Sequence, residues 1–249
     1  MATIPLPETP IRKVLAIMPT YNERDNIRNA IDRVLSADNR INLLIVDDAS
    51  PDGTGEIVEE IQLTNPRVTL LRRAGKLGLG TAYVAGFKYA LERDYDAVIE
   101  IDADLSHNPD DIPRLLKAAE KAHFVIGSRY VKGVNVINWP LQRLIMSYTA
   151  SVYSRLVTGM PYTDQTAGFA AIRREVLERI NLNKIRSNGY SFQIEIKFKT
   201  HQRGFRIVEV PIVFTEREQG SSKMNKKIVL EAIWRVWRLR LGALLGRSS

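Results

Sequence analysis

Two aspartates one residue apart, Asp102 and Asp104, directly follow the short apolar run Val98-Ile99-Glu100-Ile101. Residues two apart at a strand end can point the same way, so Asp104 and its neighbour can face one cation. With no Cys in the chain, oxygen ligands of this kind suit Mg²⁺ or Mn²⁺, usually shared with substrate phosphates. A second acidic cluster, Asp47-Asp48-Ala49-Ser50-Pro51-Asp52-Gly53-Thr54, follows the run Leu43–Val46. Asp52 and Gly53 read as a turn and helix cap, which leaves Asp47 and Asp48 over. Ribose hydroxyls and base N–H groups are donors, and one such carboxylate suits nucleoside recognition. Pro19-Thr20-Tyr21-Asn22-Glu23 follows a third run, Val14–Met18, and Gly127-Ser128-Arg129 a fourth, Phe124–Ile126.

Such groups need a frame that brings their strands to one rim. The apolar runs, with Val68–Leu71 the fifth of them, are too short for helices. Between them lie helical patterns near 26–36, 55–61, 81–93 and 110–122, with Asn22 and Asp52 as expected caps of the first two. This alternation predicts an α/β fold, a mostly parallel sheet with helices on both faces, whose ligands bind at the carboxyl ends of the strands. Acids crowded there repel one another unless a cation or a donor-rich ligand neutralises them. Gly75-Lys76-Leu77-Gly78-Leu79-Gly80 follows the wrong strand for a dinucleotide-binding loop and reads as a flexible turn before a helix.

The 249 residues are 45% hydrophobic and 26% charged, values of a globular chain that argue against disorder and coiled coil. The absence of Cys excludes disulfide scaffolds, zinc–thiolate sites and thiol catalysis, and suits a reducing compartment. The three His (His107, His123, His201) have no metal-ligand spacing. No apolar run approaches the roughly 18–20 residues of a membrane span, and the first ten residues lack a signal-peptide pattern. The net charge of +8 is uneven, because residues 225–249 hold six bases against one acid. There Leu230, Ile233, Trp234, Trp237, Leu241, Leu244 and Leu245 form one helical face, with Lys227, Glu231, Arg235 and Arg238 opposite. Such a helix reads either as a membrane-surface anchor or as a terminal helix packed on its own domain. The expected division is therefore a domain over 1–224 and a basic amphipathic tail over 225–249. Residues 214–223 read as a mobile connector or as a loop whose Arg217 and Lys223 close over phosphates.

From Lys13 to Lys223 these motifs, with Gly189-Tyr190-Ser191-Phe192-Gln193-Ile194-Glu195 and Gly220-Ser221-Ser222-Lys223-Met224, resemble the family 2 glycosyltransferases of GT-A fold. Within that family they look like the branch of dolichyl-phosphate (polyprenyl-phosphate) mannose synthases. The resemblance implies inverting transfer of mannose from GDP-mannose to a polyprenyl phosphate, with Mg²⁺ or Mn²⁺ as cofactor. It implies nucleotide-sugar binding by Pro19, Tyr21, Glu23, Val46, Asp48, Asp102, Ala103, Asp104, Arg129, Arg217 and Lys223. Asp104, Arg129 and Arg143 would carry catalysis, with Arg129, Arg143, Gln193 and Glu195 on the acceptor side. Asp102 and Asp104 would hold the metal; relatives often have Gln where this chain has Ser106, a shorter hydroxyl that leaves part of that coordination to water. The implied setting is cytoplasmic, peripheral on the cytoplasmic face of a membrane, by way of the tail helix or a membrane-anchoring partner protein, with no nucleic acid partner. A UDP-glucose-dependent enzyme of the same fold, and a non-catalytic basic protein that binds membranes or nucleic acid, are the rival readings.

Overall fold

The computed structural model describes residues 4–6, 8–185, 187–215 and 234–242. Seven strands form one sheet: β1 (Val14–Thr20), β2 (Ile41–Asp47), β3 (Val68–Arg72), β4 (Ala97–Glu100), β5 (Phe124–Ser128), β7 (Ala170–Arg173) and β8 (Ile207–Pro211). Their order is β3-β2-β1-β4-β7-β5-β8, and only β7 runs antiparallel to its neighbours. Two short strands, β6 (Val136–Ile137) and β9 (Phe214–Thr215), pair in a separate parallel ribbon. The mostly parallel sheet and its alternation with helices match the sequence expectation; β6 to β9 do not appear in it, and in β7 the run Ala170-Ala171-Ile172-Arg173 is too short and too weakly apolar to stand out.

Alternation along β1 divides the core. Val14, Ala16 and Met18 pack on one face of the sheet, with α1 (Ile27–Ala37), α2 (Thr54–Thr64) and α4 (Ile112–Ala119). Leu15 and Ile17 pack on the other, with α3 (Leu79–Glu92), α6 (Arg174–Arg179) and α7 (Tyr190–Gln202). Helix α1 shows why the segment is helical: Ile27, Ala30, Ile31, Val34 and Leu35 are its buried residues, a stripe at helical spacing. The N-cap of helix α2 is Gly53, left-handed at φ 92, rather than the expected Asp52, which stands one residue earlier and accepts through Oδ1 from the Thr54 N–H at 3.0 Å. Asn22 is not a cap. It stands at φ 61, five residues before α1 begins, and its own N–H donates to Ser50 Oγ at 3.1 Å.

Helix α5 (Leu141–Thr158) has its polarity reversed. Its buried residues are Ser151, Ser154 and Thr158, while Leu141, Ile145 and Leu156 are more than half exposed. The inward hydroxyls have partners, for Ser154 Oγ donates to Gln165 Oε1 at 2.6 Å and Ser151 meets Thr166 at 3.3 Å. A further helix, α8 (234–242), docks beside α5 through Val236, 1% exposed, and Leu239, against Met160, Ile194 and Phe198. Trp234, Trp237 and Leu241 of the expected apolar face point outward instead, at 66%, 45% and 47% exposure. The tail helix thus packs on its own domain and still keeps an apolar face uncovered. The rest of the expected tail lies outside the described residues.

The loop before α3 is tied down rather than flexible. Asp48 Oδ2 accepts from the N–H groups of Leu77 and Gly78, both at 3.1 Å, and Arg73 binds Asp48, Thr81 and the Gly78 carbonyl. A Cβ on Gly80 would stand 2.3 Å from the Ser187 carbonyl oxygen, closer than any real contact. Gly80→Ala is expected to destabilise the fold by about 1–3 kcal/mol, read from urea unfolding, because backbone rather than a pliable side chain must move. Unchanged stability would show that the approach of residues 187–190 to α3 is not fixed.

Candidate active site

Beyond the carboxyl ends of β1, β2 and β4 the backbone turns sharply. Asn22, Ala49 and Leu105 all adopt left-handed conformations there, at φ 61, 54 and 57. Such geometry costs Ala and Leu roughly 1–2 kcal/mol each and concentrates at functional sites. The three turns border a cleft of about 390 Å³. It is lined by Pro19, Tyr21, Glu23, Asp48, Asp102, Ala103, Asp104, Ser106, Arg129, Arg143 and Gln193, which the sequence had singled out from six separate segments. Val46 is instead fully buried in the core, and Glu195 lies below the cleft, accepting from the Ser187 N–H at 3.1 Å. Arg217 and Lys223 lie outside the described residues.

The acids of the second cluster divide their work. Asp47 is structural: buried, it accepts from Thr20 Oγ1 and the Ser50 N–H, both at 2.9 Å. Asp48 reaches the cleft, but its oxygens already bind Arg73 and the 77–78 backbone, so it shapes the rim as well as facing the ligand. Lys76, carried by that loop, lies 3.9 Å above the Tyr21 ring and adds a cation to this side of the cleft.

Asp102 and Asp104 occupy the turn after β4. The Asp102 side chain is 39% exposed, and Asp104 Oδ1 accepts from the Ser106 N–H at 3.1 Å. Ser106 Oγ is buried and has no hydrogen-bond partner, an orphaned hydroxyl on the cleft wall. Among the described residues no group of three or more His, Cys, Asp or Glu gathers to hold a metal. Two carboxylates and a hydroxyl, all oxygen, leave coordination open to phosphates and water, which is the donor set that Mg²⁺ or Mn²⁺ takes in phosphate sites. His107, stacked 5.2 Å from Phe169, faces Asp102 at 3.7 Å, but burial pushes its imidazole down to about 4. It is neutral at pH 7 and does not cancel the acids.

Across the cleft, Arg129 at the end of β5 is fixed by Asp164. Nε and Nη2 donate to the two carboxylate oxygens at 2.7 Å each, and the Arg129 N–H adds a third bond at 3.0 Å. Both side chains are buried, and the pair holds the Asp164 carboxyl below its usual range against the opposing effect of burial. Arg143, on α5, lies 4.4 Å over the Trp139 ring. Beneath them, Glu100 and Lys197 are fully buried, and burial pushes Glu100 up to about 8 and Lys197 down to about 8.

Sequence reasoning missed Lys76, His107, Asp164, Thr166, Gly168 and Tyr190 as parts of this site. Asp164 and Gly168, in the short polar stretch before Phe169-Ala170-Ala171-Ile172, could have signalled a further strand edge, had β7 been recognised.

The sheet and cleft define a sugar-nucleotide transferase type of fold, and the matches with known proteins agree. Residues 15–180 match the family described as "Glycosyl transferase family 2", and the chain belongs to that family. It is 48% identical over 235 residues to the polyprenol monophosphomannose synthase of Mycolicibacterium smegmatis, covering 93% of this chain and 89% of that one. It is 48% identical over 231 residues to the undecaprenyl-phosphate mannosyltransferase of Micrococcus luteus, covering 93% and 95%. To the dolichol-phosphate mannosyltransferase of Pyrococcus furiosus it is 38% identical, over 91% of this chain and 63% of the relative. Among solved structures, glucosyl-3-phosphoglycerate synthase of Mycobacterium tuberculosis superposes with a TM-score of 0.61 over 95% of this chain and 80% of that one. At 20% identity that likeness speaks for the fold alone.

Asp164→Asn strands a buried guanidinium and is expected to cost about 3–5 kcal/mol in chemical unfolding. The native Asp164 carboxyl titrates below its unfolded value near 3.8, so the pair's contribution is complete above that value and disappears only as pH falls through the lower native one. The difference between wild type and Asp164→Asn should therefore stay constant from pH 5 to 8. A difference that varied within this window would put another titrating group in charge.

Proposed function

We infer that this chain is a glycosyltransferase that moves mannose from GDP-mannose to a polyprenyl phosphate, giving polyprenyl phosphate mannose and GDP. The observation that supports it most is the near-full-length likeness to two polyprenyl-phosphate mannosyltransferases, at 48% identity, in a chain whose acids and arginines share one cleft. A polyprenyl phosphate is a phosphate monoester with a second pKa of about 6, mostly dianionic at pH 7. The nucleophile arrives deprotonated, so no residue need act as general base. A phosphate oxygen attacks the sugar C1 while the bond from C1 to the diphosphate oxygen breaks, and GDP leaves with the electron pair. One such displacement inverts C1; a trapped mannosyl-enzyme would overturn this step.

The roles follow the two sides of the cleft. Arg143, held against Trp139, and Arg129, held by Asp164, orient the attacking phosphate. Pro19, Tyr21, Glu23 and Asp48 receive the nucleoside at the opposite rim. Asp102 and Asp104, with Ser106 Oγ, would hold Mg²⁺ or Mn²⁺, which when bound offsets charge on the leaving diphosphate. Arg217 and Lys223, by family likeness, cover that diphosphate. The domain over 1–224 carries the chemistry and the basic tail over 225–249 assists attachment.

No helix among the described residues is long and apolar enough to cross a membrane. The uncovered apolar residues of α5 and α8 instead suit peripheral docking on the lipid that carries the acceptor, on the cytoplasmic side where GDP-mannose is available.

Purified protein given radiolabelled GDP-mannose or UDP-glucose with polyprenyl phosphate should yield butanol-extractable counts from GDP-mannose, lost with EDTA and reduced at least about 100-fold in Asp104→Asn. Counts from UDP-glucose alone would move the enzyme to a neighbouring branch, and undiminished turnover in Asp104→Asn would remove the acid pair from catalysis. Leu156→Glu, on the exposed face of α5, is expected to weaken flotation with liposomes and slow transfer to a long-chain acceptor in vesicles, while a short water-soluble acceptor is used normally. Equal flotation would place lipid contact elsewhere.

A further inference from the structure

Helix α7 is buried on every side from Ser191 to Thr200, although six of those ten residues are polar or charged. Lys197, wholly inaccessible, donates from Nζ to the Ala167 carbonyl at 2.7 Å, to Gln193 Oε1 at 3.1 Å and to the Gln193 carbonyl at 3.3 Å. An ammonium has donors only, so the amide atom that meets it must be the oxygen. The orientation of the Gln193 amide is thereby fixed, with Nε2 turned the other way. Gln193 is 2% exposed, lines the cleft, and its Nε2 has no hydrogen-bond acceptor. Glu100, buried below, attracts one of the two N–H groups of that amide without closing a hydrogen bond of good geometry, and the other N–H is left for the cleft side. On the cleft side stands Gly168, where a Cβ would lie 4.0 Å from Gln193 Nε2, 4.0 Å from Asp102 Oδ2 and 3.7 Å from His107 Cε1. The lack of a side chain at 168 keeps open the space between the amide and the Asp102 carboxylate.

We propose that Lys197 is a positioning residue: it locks the Gln193 amide so that Nε2 stands as a fixed donor to an oxygen of the nucleotide-sugar beside Asp102. The inference rests on the transfer reading and assigns Gln193 to the donor substrate rather than to the acceptor side. The accepting oxygen belongs either to a hydroxyl of the sugar or to the diphosphate. A donor already aimed in a site that excludes water needs no reorganisation when the ligand charge shifts, and this is the advantage of anchoring the amide from behind. Lys197 also pins Ala167, and with it the backbone on either side that supplies Thr166 and Gly168 to the cleft wall.

Gln193→Glu separates this role from simple packing. It keeps an oxygen on Lys197 and adds an opposite charge, so a residue that only satisfied Lys197 would leave activity whole and Tm equal or higher. The expected result is an unchanged or raised Tm with GDP-mannose affinity, by calorimetry with Mg²⁺, and kcat both reduced about 10–100-fold. Loss of affinity for GDP-mannose but not GDP assigns the oxygen to the sugar, and equal loss for both assigns it to the diphosphate. Affinities and kcat within twofold of wild type overturn the proposal. Lys197→Met should show the same defect, and the double variant Gln193→Leu/Lys197→Met should lose no more than the worse single, since the two act as a unit. Multiplicative losses would overturn the positioning role, and should Lys197→Met not fold, Gln193→Glu decides alone. Wild type that binds GDP-mannose without transferring it marks failure of the acceptor assignment and leaves the binding comparison decisive. Wild type that binds neither ligand overturns the donor reading and this inference with it.

Discussion

A carboxylate and a guanidinium, both withdrawn from water, hold this site in shape. The Asp164–Arg129 pair joins the end of β5 to the segment that leads into β7. Without Asp164 the Arg129 cation would face full desolvation, and without Arg129 the carboxyl would be stranded. Three further attachments extend the clamp: Thr166 Oγ1 accepts from Arg129 Nη2 at 2.9 Å, Glu209 accepts from the Asp164 N–H at 3.0 Å, and Ser151 on α5 meets Thr166. One ion pair thereby sets the position of β5, β8, α5 and the cleft wall together. It also makes Arg129 a rigid group, suited to orienting an anion.

The opposite rim solves an electrostatic problem by different means. Asp47 and Asp48 at the end of β2 and Asp102 and Asp104 after β4 put four like charges on one rim of the sheet, where they repel one another. The first two are answered internally, by hydroxyls, by backbone N–H groups and by Arg73. Of the second two, Asp104 accepts from the Ser106 N–H and Asp102 stays partly exposed beside His107, and under the proposed function a divalent cation would offset the charge of both.

The first five strands and four helices could be read from the sequence because each pairs a run of apolar residues with its own period, as the stripe on α1 and the alternation of β1 illustrate. Pro19, Tyr21, Glu23, Asp48, Asp102, Asp104 and Arg129 were legible for the same reason, since they follow those runs directly, whereas Arg143 and Gln193 rested on the family resemblance alone. What escaped the sequence is whatever depends on partners far along the chain. Helix α5 turns serines inward because Gln165 and Thr166 wait there, and no local pattern announces that. Helix α7 buries Gln193, Glu195, Lys197 and Lys199, so an amphipathic pattern cannot be seen in it. Gly75 to Gly80 looked loose because the carboxylate that binds the loop is nearly 30 residues upstream.

The strand order has a consequence for how the chain can assemble. The four-stranded parallel half, β3-β2-β1-β4, is complete in sequence by Glu100, and β5 with β8 forms a second piece. Among the described residues these halves share no strand pairing except through β7, four residues long, which pairs with β4 on one side and β5 on the other. Before Arg173 leaves the ribosome, the Ala97–Glu100 edge therefore has one neighbour and an open row of backbone donors and acceptors. The nascent chain must protect that edge through the synthesis of some 70 further residues, including all of α5 with its outward leucines. Closure comes late and from the middle: four residues join the first sheet to β5, and β8, the other neighbour of β5, is made only afterwards.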